Sequence, residues 1–572
     1  MNIYSEIKEI IKHSLNKRFK YIENNFFEKI TCEKPNEESH GDVASNVVLL
    51  ILKHINLERE EIAEILIKDL KKNSLISDVY FQQPGFLNMK INNDYWLKLL
   101  SYINKNKQDY GFKNIGNGKH INLEFISANP TGPLHIGHVR GAVFGDVLGN
   151  LMEKNGYNVT KEYYVNDLGN QIDTLVKTIE LHITNIKNKT KIKPDKTMYQ
   201  GAYLKDIAEK IFNESSNILD AENENVLKNK SVNENIKLIK EDLKRLGINF
   251  DVFTSEKELH YKGLVDEAIN KLKKKELLYK GKLGKPKGIE GKDWVSSEQI
   301  LFKSKNFGDD SDRAIKKSDG TWTYFASDIG YHYDKAKRGF DEIINIWGAD
   351  HAGYIKRVSS AIKAFDFNSL KFSVKLCQIV NIIDNNKILK MSKRAGNFIL
   401  LKDVIESIGK DALRFFMLIR KNDAHLDFNL EKCLSETKEN PIFYVQYAHA
   451  RINSIKNLMN NKKIFLDEKS SEQLELINTK EEISIIKTLS LWPKIIETSV
   501  IYREPHRIVF YLVELASIFH MFWNMGKTNN DYRIVCEKNI KLTNARLILI
   551  EAVQAVLKSG LNILSIKPVE KM

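Results

Sequence analysis

Two histidines in the stretch Ala128–His138 (ANPTGPLHIGH) and a distant basic pentapeptide, Lys390–Arg394 (KMSKR), are the residues best suited to chemistry. His135 and His138 stand where a helix begins, and Gly137 leaves room for a ligand against the backbone. Neutral imidazoles there can donate to phosphate oxygens, and a helix N-terminus favours an anion. Lys390, Lys393 and Arg394 put three cations on a loop between DNNK and Gly396, suited to neutralising a triphosphate or a departing pyrophosphate. Either motif alone is weak, since a basic pentapeptide is usually a solvated loop. Their pairing and their context carry the phosphate reading.

That context is strand, turn, helix. INLEFIS (Ile121–Ser127) is an apolar run of strand length, and Val139, Val143, Val147, Leu148 and Leu151 recur at helical spacing after the Pro/Gly turn. Alternation continues through VTKEYYV and a helix from Leu168 to Leu181. It resumes with WTYFA as a strand, a helix around Gly330–Arg338, the strand IINIWGADHAG, a helix over Tyr354–Phe365, and KFSVKLCQIVNI. Such a pattern predicts a parallel sheet of βαβ units. A mostly helical insertion, about 182–304, splits it, and its Lys-rich start, Asn185–Lys196, reads as a solvated loop. Residues 1–105 read as a small α+β domain, Asn104–Lys119 as a linker, 120–400 as the α/β domain, and 401–572 as all-α with no strand. The fold class is α/β: a Rossmann-type domain split by an insertion, with an N-terminal α+β domain and a C-terminal helical domain.

The chain has 572 residues and a formal net charge of +14, which suits a polyanionic partner, although abundant Lys, Asn and Ile also follow from biased base composition. Cys32, Cys377, Cys433 and Cys536 are scattered without a CxxC pair, so neither a disulfide framework nor structural zinc is expected. MNIYSEIKEIIKHSLNKRF is Lys-rich and amphipathic, without the apolar core of a signal peptide, and no run approaches the roughly 18 apolar residues of a membrane span. A cytoplasmic protein with no membrane partner is expected.

HIGH after the first strand and KMSK after the last resembles the class I aminoacyl-tRNA synthetases. EFISANPTGPLHIGHVRGAVFGD, YYVNDLGNQI, SDGTWTYFASDIGYH, INIWGADHAGY, KMSKRAGNF, DALRFF and YVQYAHARI together resemble the arginyl-tRNA synthetase family, and SHGDVASN, PGFLN and RLILIEAVQAVLKSGLNIL extend the likeness over nearly the whole chain. The resemblance implies ATP-dependent attachment of L-arginine to tRNA(Arg) through an arginyl-adenylate, with Mg2+ accompanying ATP, tRNA required for activation, a monomeric enzyme and no editing domain.

It also implies residue roles. His135, His138, Lys390 and Lys393 would be catalytic, and Pro133, Gly137, Met391 and Ser392 would join them around ATP. Glu124, Ser127, Asn129, His135, Tyr324, Asp328, Asp350 or its neighbour His351, and Glu256 would hold arginine. Asn166, Asp167 and Gln171 match pocket positions without assigned roles. Tyr444, Gln446, Tyr447 and Arg451 would meet tRNA. A guanidinium asks for a carboxylate in planar, bidentate reach, which Asp328 can supply. On spacing alone Asp328 reads equally as a helix cap, Glu256 as an exposed carboxylate, and Tyr444 with Tyr447 as helix packing. A metabolite-specific adenylyltransferase would have little use for the terminal domains. A cysteinyl-type enzyme would need zinc-ligand cysteines, and an RNA-binding paralogue without activity could lose His138, Lys393 or Asp328, all of which are present.

Overall fold

The computed structural model describes residues 1–19, 24–283, 298–367, 369–384, 387–389, 399–437, 439–461 and 473–572. The N-terminal region packs helices Ile3–Arg18, Arg59–Leu70 and Asn93–Asn106 with a four-stranded antiparallel sheet that includes the hairpin Ile76–Gln82/Phe86–Ile91. Ile7, Ile11, Leu66 and Leu99 are fully buried there, as their helical spacing requires.

The next region is built on β1 (His120–Glu124), α1 (Ile136–Glu153), β2 (Asn158–Val165) and α2 (Asn170–Asn188). The inserted helices α3 (Tyr203–Glu214) and α4 (Glu224–Leu246) follow, then β3 (Val252–Ser255), α5 (Glu256–Tyr261), α6 (Tyr324–Lys337), β4 (Glu342–Gly348), α7 (Ile355–Ala364) and β5 (Lys371–Cys377). The five strands run parallel in the order β5-β4-β1-β2-β3, with Glu124 in register with Asn345 on β4 and Glu162 on β2. Strand order reverses between β1 and β4, so a crevice opens at their carboxyl ends, where open α/β sheets take ligands.

Several sequence expectations are corrected. WTYFA is not a strand: the Thr323 hydroxyl accepts from the Ala326 N–H at 3.4 Å and starts α6 at Tyr324, so an N-cap overrides the aromatic, β-favouring composition. The insertion contains a strand of the main sheet, β3, which pairs with β2 from Glu162↔Val252 to Val165↔Ser255. The region after Leu401 contains one too. After β6 (Val380–Asp384) and α8 (Lys410–Met417), β7 (Leu426–Asn429) pairs parallel with β6, burying Leu426 and Phe428 on alternate positions too few to stand out. The Lys-rich Asn185–Lys196 stretch begins inside α2, which runs to Asn188.

The C-terminal bundle includes α9 (Pro441–Asn461), α10 (His506–Thr528) and α11 (Ile540–Ile563). Among the described residues α10 alone is long and apolar enough to cross a membrane, which corrects the expectation that no run is. Its Ile508, Leu512, Leu515 and Phe519 are fully buried in the bundle, which accounts for that composition. Arg414 on α8, 0% exposed, ties bundle to sheet: its guanidinium pairs with Asp146 of α1 and donates to Leu564 O at 2.6 Å and Leu246 O at 3.1 Å.

Candidate active site

A cavity of about 760 Å³ occupies the crevice. It is lined by Glu124, Ser127 and Asn129 after β1, His135, Gly137 and His138 at the start of α1, Asn166 after β2, Glu256 at the start of α5, Tyr324 and Asp328 on α6, and Asp350 and His351 after β4. These sequence-selected residues, separated by up to 227 positions between Glu124 and His351, meet in one place. Pro133, Asp167 and Gln171 stand outside the lining. Pro133 is buried within the turn, Asp167 accepts from Ser255 Oγ at 2.6 Å and Lys257 N at 2.8 Å, and Gln171 accepts from Asn129 Nδ2 at 2.7 Å. Lys390, Met391, Ser392, Lys393 and Arg394 lie outside the described residues. The chain that follows them returns to the HIGH turn, where Ile136 N donates to Ile399 O at 3.2 Å and Leu401 N to Leu134 O at 3.0 Å.

The two histidines cap α1 reciprocally. His135 Nδ1 accepts from Gly137 N and His138 Nδ1 from His135 N, both at 3.2 Å, and the rings stack with centroids 3.8 Å apart. With both Nδ1 atoms accepting, each neutral ring carries its proton on Nε2. Helix capping therefore sets the tautomer.

At the other side of the cavity, three carboxyl groups are held differently. Glu124 is committed: its Oε2 pairs at 2.6 Å with Lys335 Nζ, which is wholly buried and also reaches Asn345 Oδ1 at 3.3 Å, and its Oε1 accepts from Ser127 Oγ at 3.0 Å. Ser127 Oγ in turn accepts from Tyr164 N at 3.1 Å, so Ser127 acts as a brace. Asp328 accepts from Tyr354 Oη at 2.6 Å and faces Glu256 and Glu124 across the cavity. Glu256, 4% exposed, receives the Asn166 amide at 2.9 Å when its NH2 faces the carboxylate. Burial pushes the Asp328 carboxyl up to about 7 and raises Glu256 as well, each aided by a neighbouring carboxylate. Among the described residues neither Asp328 nor Glu256 has a cationic partner of its own, so the site gains by binding a cation. Burial also lowers His332 to about 4, so beside Asp328 it is neutral at working pH; its Nδ1 bonds Asp328 O at 2.8 Å.

Tyr164, Tyr331, His332, Lys335 and Tyr354 were not found from sequence. Four positions on α6 carried a signal: Tyr324, Asp328, Tyr331 and Lys335 fall at i, i+4, i+7 and i+11, one face of a helix. Reading WTYFA as a strand hid that face. Ile126 and Ser127, after β1, have φ of 69° and 42°, and a left-handed Ile is a costly conformation of the kind that clusters at ligand sites.

Residues 100–456 match the family described as tRNA synthetases class I (R), catalytic domain; residues 5–91 match the arginyl tRNA synthetase N terminal domain and 445–572 the DALR anticodon binding domain. A curated relative named arginine–tRNA ligase, from Wolbachia pipientis subsp. Culex pipiens, is 46% identical with both chains fully covered. The chain belongs to the arginyl-tRNA synthetases. A relative of the same name from Ehrlichia chaffeensis is 43% identical, again over 100% of each chain. Among solved structures, a putative arginyl-tRNA synthetase from Campylobacter jejuni is similar at TM-score 0.71 and 32% identity, covering 83% of this chain and 100% of its own. The Thermus thermophilus arginyl-tRNA synthetase shares the fold at TM-score 0.75 and 19% identity over the whole of both chains. The class I catalytic fold, with its N-terminal and helical C-terminal domains, is therefore that of this family.

Away from the cavity, Tyr444, Gln446, Tyr447 and Arg451 lie on α9. Gln446 is spent on the chain's own tail, donating to Lys567 O and accepting from Val569 N, both at 2.9 Å. Tyr444 packs on His520 with centroids 4.4 Å apart. Tyr447 is 36% exposed, and the Arg451 guanidinium lies 4.1 Å from its ring centre.

Proposed function

We propose that this chain charges tRNA(Arg) with L-arginine at the cavity between β1 and β4, using ATP. The observation that carries the division of labour is the cavity's polarity: two helix-capping imidazoles at a helix N-terminus on one side, and on the other two unneutralised carboxyl groups, Glu256 buried and Asp328 half-buried. The guanidinium lies against Asp328 and Glu256. Glu124, fixed by Lys335, and Asn129 orient the amino-acid end, with Tyr324, Asp350 and His351 on the rim. The arginine carboxylate oxygen attacks the α-phosphorus, forming a P–O bond as the bond to the β-phosphate breaks and pyrophosphate leaves. The terminal ribose hydroxyl of tRNA, by class habit the 2'-OH, then attacks the adenylate carbonyl and releases AMP. No protein nucleophile is required, so catalysis is positioning and charge stabilisation. His135 and His138 donate from Nε2 to phosphate oxygens, with Pro133 and Gly137 shaping the turn, Lys390 and Lys393 neutralise the leaving pyrophosphate, and Met391 and Ser392 stand beside ATP. Mg2+ accompanies the triphosphate, which supplies its oxygens. The working unit is a cytoplasmic monomer with no membrane partner. Its domains divide as 1–105, 120–400 with the insertion near 182–304, and 401–572. The direct test is transfer of labelled arginine to acid-precipitable tRNA(Arg); no transfer with active cognate tRNA would refute the reading.

Because Asp328 must be ionised to pair with a guanidinium, its raised carboxyl gives a pH signature. Below about 7 the KM for arginine should rise by about tenfold per pH unit while that for ATP does not follow, and above 7 the KM for arginine should level. Initial rates at varied pH measure it, and parallel changes in both KM values would remove Asp328 from the role.

Tyr447 with Arg451 forms an exposed aromatic–cation surface suited to stacking on a splayed anticodon base. Tyr447→Ala should raise the KM for tRNA by about 5- to 100-fold, the weight of one base stack, without moving that for ATP. Steady-state aminoacylation with varied tRNA reads the difference.

A further inference from the structure

Residues 128–134 connect β1 to α1 without belonging to a helix or strand, so their polar backbone groups need outside partners. The sheet supplies one, Tyr163 Oη to Ala128 O at 2.8 Å. Two others come from the inserted helices. Tyr203 Oη on α3 donates to Thr131 O at 2.6 Å, and Asp242 Oδ2 on α4 accepts from Leu134 N at 2.9 Å, one residue before His135. Gly132 permits the first approach, because a Cβ there would stand 2.6 Å from Tyr203 Oη.

The insertion does not need these contacts for its own packing. Ile172, Leu175 and Ile179 of α2 form a separate core with Leu204 and Ile207 of α3 and Leu227 of α4. The second half of α4 leaves that core and enters the main one through Leu243 and Leu246. Its last turn is pinned by Arg414 at Leu246 O, and Arg414 is fixed to α1 through Asp146. Asp242 lies four residues before Leu246, on the same face of α4. Helix α4 is thus a strut, anchored at its end and bearing on the phosphate turn one helical turn earlier.

We propose that Asp242 and Tyr203 are positioning residues that hold the HIGH turn for ATP, giving the insertion a role in nucleotide binding. The inference rests on the reading that this turn binds ATP phosphates. What Asp242 contributes is an acceptor for Leu134 N rather than a negative charge, which would oppose phosphate nearby. Burial pushes its carboxyl up to about 6, consistent with a charge that is disfavoured there.

The test uses the full-length chain, with ATP binding followed by titration calorimetry and ATP–pyrophosphate exchange run with arginine and tRNA. Asp242→Ala should weaken ATP by about tenfold in Kd and KM, the value of one uncompensated buried donor, while the KM for arginine stays within about twofold. Asp242→Asn, which keeps an acceptor, should restore ATP binding to within about twofold of the parent, and Tyr203→Phe should weaken it by about three- to tenfold. Unmoved ATP affinity in Asp242→Ala and Tyr203→Phe, equal loss for both substrates, or an Asp242→Asn variant as impaired as Asp242→Ala would overturn the inference. A parent that binds ATP but exchanges nothing with arginine and tRNA contradicts the functional reading instead, and the calorimetric shifts still decide this one.

Discussion

Asp328→Asn is expected to reduce kcat/KM for arginine by at least about a hundredfold, with the KM for ATP within about twofold, because an unpaired buried charge costs about 3–5 kcal/mol. The substitution keeps the shape and lets Tyr354 Oη, now 2.6 Å from Asp328 Oδ2, still donate to the amide oxygen. It removes the charge and turns an NH2 toward a guanidinium, which offers only donors. Glu256 remains and supports residual binding, while Glu124 cannot substitute because Lys335 already neutralises it. Initial rates with each substrate varied in turn separate the two KM values. An equal rise in both would show that Asp328 supports the cavity's shape rather than the guanidinium.

His138→Ala carries the second large effect. Loss of one donor to charge developing in the transition state typically costs about 10²- to 10³-fold in rate, so kcat for adenylate formation should fall by that much. The variant also removes the acceptor of His135 N at 3.2 Å, breaking half of the reciprocal cap. A cap is worth about 1 kcal/mol, so the melting temperature should drop only slightly. His138→Asn, whose side chain can still accept from a backbone N–H, separates the parts: it should recover stability and leave most of the rate deficit. Full recovery of rate by Asn would reduce His138 to a helix cap.

Much of this site was legible because its chemistry sits where local patterns are strongest. Strand β1, the Pro/Gly turn and α1 announce themselves by periodicity, and the two histidines of the turn fall on their boundary. Glu124 and Asp328 were identifiable only through family resemblance, since a carboxylate on a strand or helix has many roles and its partners lie far off in sequence; Lys335 is 211 residues from Glu124. Strand β3 escaped because four residues inside a helical insertion gave no alternation to read, and with it went the reason Glu256 is buried. It follows directly on β3, which delivers it into the cavity. Gln446 shows the converse. Its place among Tyr444, Tyr447 and Arg451 suggested a nucleic-acid contact, yet a buried amide with both groups bonded to the tail has a structural role that only the folded C-terminus reveals.

On this reading the cavity between β1 and β4 activates arginine, and no other amino acid, on ATP. ATP–pyrophosphate exchange tests it most directly, with each amino acid supplied in turn and with or without tRNA(Arg). Exchange is expected with arginine and tRNA together, and little with arginine alone. Exchange sustained by a different amino acid, or none with arginine once tRNA is added, would contradict it.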